Sequence, residues 1–152
     1  MIPTLLNFAL PLATAYAEEQ EQIVLRDGVS LTDAQCADAQ LAGVKEPKRV
    51  RVLKVKTIPM PTQTILAKAN EYVGMIGAHS STLNYGHAII LREDRWADRA
   101  ALVHELVHVA QNERLGGLQE FLKAYLNECL TVGHASSSLE REAIELTKKI
   151  CG

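Results

Sequence analysis

Cysteine is scarce, and what there is cannot build a framework. Cys36, Cys129 and Cys151 are odd in number, widely separated and outside any Cys-x-x-Cys pair, which excludes a disulfide scaffold and a thiolate zinc knuckle. Reduced thiols in a cytoplasmic setting are the expectation that follows. An excess of charge of one sign is lacking as well. Lys plus Arg number 16 against 18 for Asp plus Glu, a formal net charge of −2 with the two signs intermixed, so no stripe exists for a phosphate backbone and no nucleic-acid partner is expected. Repeats and low-complexity tracts are missing, the serine run at 136–138 being only a loop. No apolar stretch is long enough for a stable membrane span.

Basic residues are absent before Arg26, and three readings of residues 1–20 stay open. Leu5, Leu6, Phe8, Ala9 and Leu10 precede Ala15-Tyr16-Ala17, a pattern similar to a signal-peptidase site, although the charged n-region is missing and Pro3 and Pro11 interrupt the run. Export is the alternative that this pattern raises. A second reading is an amphipathic helix over 14–26, ending at Asp27-Gly28 and docked through Ala15, Tyr16, Ile23 and Val24. In the third, the segment plugs a cleft.

What is present suffices for one domain. At 152 residues and 47% hydrophobic content, the chain can bury a real core but not two comfortable ones, so 1–152 reads as a single domain. Ser30-Leu31-Thr32-Asp33 caps a short helix that Gly43 and Pro47 close. Residues 49–56 alternate basic and apolar with period two, but Val50, Val52 and Val55 do not share a face, which predicts a bulge near Leu53. A helix is expected over 62–73 and an apolar strand over 86–92, immediately before the longest helix. The charged turn 92–98 starts that helix, with Trp96 capping the core edge, and Gly116-Gly117 ends it. Two more helices follow, one from Leu118 to Leu130 with Glu128 on its solvated face, and one opening after Ser137. The fold class is α+β, mostly helical with a small sheet beside the longest helix.

That helix carries His104-Glu105-Leu106-Val107-His108. Positions i and i+4 share a helix face, so both imidazoles can converge on one metal ion while Glu105 points at the metal's open position. Ala100, Ala101, Leu102, Val103, Leu106, Val107, Val109 and Ala110 make the helix apolar nearly all round, the mark of a core element. A carboxylate and two imidazoles there need partners, because burying an unpaired charge costs several kcal/mol.

Catalytic zinc takes three protein ligands and one water. A histidine six residues past the motif would stand at 114, which is Arg114, and no aspartate follows Asp98. Glu113 and Glu120 lie too close to turn back. His134, Glu140 and Glu142 remain open. With Ser137 as N-cap, Glu140 falls at the capping-box position, a purely structural reading of the same residue.

The His-Glu-x-x-His pentapeptide followed at a distance by Glu140-Arg141-Glu142-Ala143 resembles the gluzincin metallopeptidases over roughly residues 84–146, and the compact chain is similar to the minigluzincin type. The resemblance implies a zincin-like fold, Zn2+ held by His104, His108 and Glu140, Glu105 as general base, and a peptide or protein substrate. It also implies that the strand before the motif helix edges the cleft and pairs with extended substrate, which requires an exposed edge. One position departs: where many gluzincins place an aspartate one turn after the ligand glutamate, this chain has Ile144, so a motif histidine must find its outer partner elsewhere. His79, His87, Tyr85 and Tyr125 are further candidates for substrate contact. The alternative function is a non-catalytic zinc-binding interaction module, and the blandest is a metal-free interaction domain.

Overall fold

The computed structural model describes residues 2–61 and 81–152. The helix expected over 62–73, and His79, lie outside the described residues. The architecture is α+β. Five α-helices are described: α1 (Ile2–Asp27), α2 (Asp33–Leu41), α3 (Arg99–Leu115), α4 (Leu118–Thr131) and α5 (Ser138–Cys151). Four strands, β1 (Val29–Ser30), β2 (Arg51–Val55), β3 (Thr82–Tyr85) and β4 (Ala88–Arg92), form one mixed sheet in the order β1-β2-β4-β3. The β2 and β4 strands run parallel, while both outer pairings are antiparallel.

The β4 strand is central because it is apolar on both faces. Ala88, Ile89, Ile90 and Leu91 are each at most 1% exposed, the pattern of a strand covered by helices on two sides. Ile89 and Leu91 join Val52, Leu106 and Val109 in a core beneath α3, whereas Ala88 and Ile90 join Ala17 and Val24 of α1 on the other face. This two-sided burial removes the bulge expected near Leu53. The register runs one to one from Arg51↔Ala88 to Val55↔Arg92, and Val52 and Val55 each find a core because there is one on either face. Residues 86–92 are therefore not an edge, and among the described residues the edge strand next to the long helix is β3, a short and half-polar strand.

The first helix is longer than the docked-helix reading, running unbroken from Ile2 through Pro11 to Asp27. Its buried contacts are Ala17 and Val24 rather than Ala15, which is exposed, and Tyr16 meets Tyr85 edge-on at 6.3 Å. It packs on the sheet and on α4. Its exit needs Gly28, where a Cβ would lie 2.7 Å from the carbonyl oxygen of Val24 and 3.0 Å from that of Val52. No helix of the described residues is long and apolar enough to cross a membrane.

Asp98 caps α3 by accepting the Ala101 N–H at 3.0 Å, and Gly116, at φ 104°, ends it in the left-handed region that favours glycine. Arg99 anchors the helix start to α2 through two bonds of 2.9 Å to Asp38. Trp96 does not cap the core edge. It is 39% exposed, with the Lys54 ammonium 5.3 Å from its ring centroid, an arrangement favoured by the ring's electron-rich face. Glu128 leaves the solvated role assigned to it, since its carboxylate accepts from the hydroxyls of Ser137 (2.7 Å) and Ser138 and from the Leu139 N–H (3.3 Å).

Candidate metal centre

Two helices bring the site together. His104 and His108, one turn apart on α3, set their rings edge to face with centroids 4.9 Å apart, and Glu140 reaches them from the first turn of α5. The His108 Nε2 lies 2.6 Å from Glu140 Oε1, and the His104 Nε2 lies 3.4 Å from Glu140 Oε2. One ligand atom from each of the three residues falls within 4.8 Å of the others, a group that could hold a metal ion.

Capping decides where Glu140 points. Ser137 Oγ accepts the Glu140 N–H at 3.4 Å, so α5 starts where the sequence places it. The Glu140 side chain does not turn back to complete a capping box. It enters the seam with α3, where the Tyr125 hydroxyl donates to Oε1 at 3.1 Å. Burial works to raise the Glu140 carboxyl, but hydrogen bonds and charge from His104 and His108 outweigh it and hold the group well below the usual carboxylate range.

The histidine tautomer follows from a residue that the sequence did not single out. Gln111, 0% exposed, donates through Nε2 to the Leu139 carbonyl at 2.9 Å and to Glu142 Oε1 at 2.6 Å. Both partners are acceptors, so the amide nitrogen must face them. The amide oxygen then faces His108 Nδ1 at 2.7 Å, and Nδ1 must carry the hydrogen. The Nε2 lone pair is left opposite a carboxylate oxygen at 2.6 Å, a contact between two acceptors that only a cation, proton or metal, can relieve. Two imidazole nitrogens and one carboxylate oxygen are a donor set that suits a divalent metal ion, and the residues present fit such an ion.

Glu105 is 5% exposed and accepts from the Thr82 hydroxyl at 2.7 Å. It opens on a cavity of about 300 Å³ whose walls are β3, α3, α4 and the His134 loop. No described residue of α1 lines this cavity. Among the described residues, β3 has no strand on its outer side.

The remaining candidates separate. His134 stands beside the cluster rather than in it, 45% exposed at its side chain with Nε2 3.9 Å from Glu140 Oε2. Glu142 is spent on Gln111 and on Arg114 at 3.1 Å. Glu113 faces the other way, accepting the Lys45 N–H at 2.7 Å, the Glu46 N–H at 3.2 Å and His87 Nε2 at 2.9 Å, which takes His87 away from the centre. Tyr85 lines the cavity with its buried hydroxyl unpartnered. Ile144 is 43% exposed and supports neither histidine. Sequence reasoning missed Gln111 and Thr82. The available signal for Gln111 was a polar side chain three residues past His108, on the same helix face; for Thr82 there was none without the strand.

No protein-family model, no curated protein and no solved structure matches the chain.

Proposed function

We propose that this chain is a zinc-dependent peptide-bond hydrolase of the gluzincin kind, a single zincin-like domain with His104, His108 and Glu140 as metal ligands and Glu105 as general base. The convergence of the three ligand atoms within 4.8 Å is the observation that carries the reading. A bound zinc ion supplies Lewis acidity toward water and toward a carbonyl oxygen.

The chain's own residues do the rest. The Thr82 hydroxyl occupies Glu105 Oε1, leaving Oε2 to accept a proton from the attacking water and then deliver it to the leaving amine. Among the described residues no strand pairs with the outer edge of β3, and that edge holds an extended peptide by strand addition. The Tyr125 hydroxyl orients Glu140, and Phe121 and Leu122 of α4 provide the apolar part of the wall. The free thiols Cys36, Cys129 and Cys151 support a reducing, cytoplasmic setting.

Metal analysis combined with peptide-library cleavage tests the reading. Glu105→Gln should keep stoichiometric zinc and lose turnover by about 10²-fold or more, the usual contribution of a positioned acid–base group. Cleavage by that variant at the wild-type rate would remove the general-base assignment. Stoichiometric zinc in a wild type that cleaves no peptide would turn the reading toward the non-catalytic module.

A further inference from the structure

Gln111 is fully buried at the seam between α3 and α5, and both polar atoms of its side chain are engaged there. Its oxygen meets His108 Nδ1 at 2.7 Å. Its nitrogen reaches across to the carbonyl of Leu139 at 2.9 Å, the residue next to Glu140. One amide therefore bonds to a metal-ligand ring on one helix and to the backbone that carries another ligand on the next. We infer that Gln111 is the positioning residue of this centre, setting the tautomer of His108 and the spacing between His108 and Glu140. The inference rests on the metal reading of the site, not on hydrolysis.

The placement has a simple origin. Residues three apart on a helix are neighbours, so Gln111 can bring its amide oxygen to His108 Nδ1 without help from another element. The role that Ile144 cannot fill on α5 is thereby moved to α3, and from an ionised acceptor to a neutral one. A neutral acceptor polarises the imidazole less than a carboxylate does, and outer partners of this kind change metal affinity by about 10–100-fold. Glu142, held by Arg114 at 3.1 Å, tightens the amide from behind through its 2.6 Å bond.

The test uses the full chain and needs no substrate. Zinc affinity would be measured by competition with a chromophoric chelator for wild type, Gln111→Met and the double variant Gln111→Glu with Glu142→Gln. Thermal unfolding of each metal-free protein and long-range 1H–15N spectra of the imidazoles accompany it. Gln111→Met should bind zinc about 10–100-fold more weakly, and its metal-free His108 should lose the Nδ1–H signature. The double variant keeps an acceptor at Nδ1 and restores an amide–carboxylate bond to residue 142 with its polarity reversed, while giving up the donor to the Leu139 carbonyl. It should keep the Nδ1–H signature of His108 and bind zinc more tightly than Gln111→Met, and its signature carries the test alone if Gln111→Met does not fold. Wild-type affinity with an intact Nδ1–H signature in Gln111→Met would overturn the inference while leaving the metal reading standing. A folded double variant whose metal-free His108 had lost the Nδ1–H signature would also overturn it, by showing that the acceptor at position 111 does not set the tautomer. A wild-type protein that binds no zinc would overturn the metal reading and the inference together.

Discussion

At the scale of single residues, two buried glutamates in one cavity have different partners, and the partners divide their roles. Glu105 meets a neutral hydroxyl from Thr82, while Glu140 meets two imidazoles and the Tyr125 phenol. Burial, and then the Glu140 charge, push the Tyr125 hydroxyl well above its ordinary pKa, so it remains a donor throughout the working pH range. Stacking of its ring on Phe121 at 5.5 Å fixes its aim. Tyr125→Phe should therefore keep the fold and weaken zinc binding by roughly 10-fold, the low end for lost outer partners. Unchanged affinity in the chelator competition would show that Glu140 needs no such orientation. The residues legible in the sequence were those whose identity and spacing define a face, His104, Glu105 and His108. Glu140 came from the resemblance, with His134 and Glu142 kept beside it. The choice among them depends on helix phase, which the Ser137 cap sets and which only the packed seam makes visible.

At the scale of elements, the start of α5 is a joint between three parts. Ser137 caps the helix, Glu128 of α4 gathers Ser137, Ser138 and the Leu139 N–H, and Gln111 of α3 takes the Leu139 carbonyl. Helix periodicity placed Glu128 in solvent because periodicity sees only the helix that a residue belongs to. The cap on α5 was legible, but not the neighbour that supports it. Burial works to raise the Glu128 carboxyl, and the hydroxyls of Ser138 and Ser137 and the backbone N–H groups outweigh it, leaving the pKa lowered. A carboxylate depressed on folding contributes stability that is fully present above its unfolded value, about 4.3, and is lost as pH falls through the folded value. Glu128→Gln should thus cost about 1–2 kcal/mol at neutral pH, the worth of a charge-assisted hydrogen bond. Denaturant titrations at several pH values should find the gap between the two proteins closing in acid, below about pH 4. A gap that stayed constant down to pH 3 would assign the loss to packing instead of charge.

At the scale of the whole molecule, the sheet has a helix layer on each face, and this explains both what the sequence revealed and what it hid. The apolar run before the motif helix was readable as a strand, but being apolar on both faces it belonged in the middle of the sheet. The edge fell to Thr82–Tyr85, whose mixed residues carry no strand signal of their own. The same architecture bears on residues 1–20. Ala17 and Tyr16 of α1 pack with Tyr85, Ala88, Ile90 and Leu122, the face of the sheet opposite α3, and no described residue of α1 lines the cavity. Removing residues 1–20 should accordingly uncover apolar surface rather than open the site. Each large side chain stripped of its cover forfeits about 1.5–3 kcal/mol, so losing two or three consumes much of the roughly 5–15 kcal/mol that keeps a domain folded. The truncated chain should melt well below the full one, bind a hydrophobic dye and gain no peptidase activity per folded molecule. A truncated protein that melted like the full chain and cleaved peptides faster would restore the plug, and would mean that α1 covers the cleft in solution and leaves it when the enzyme works.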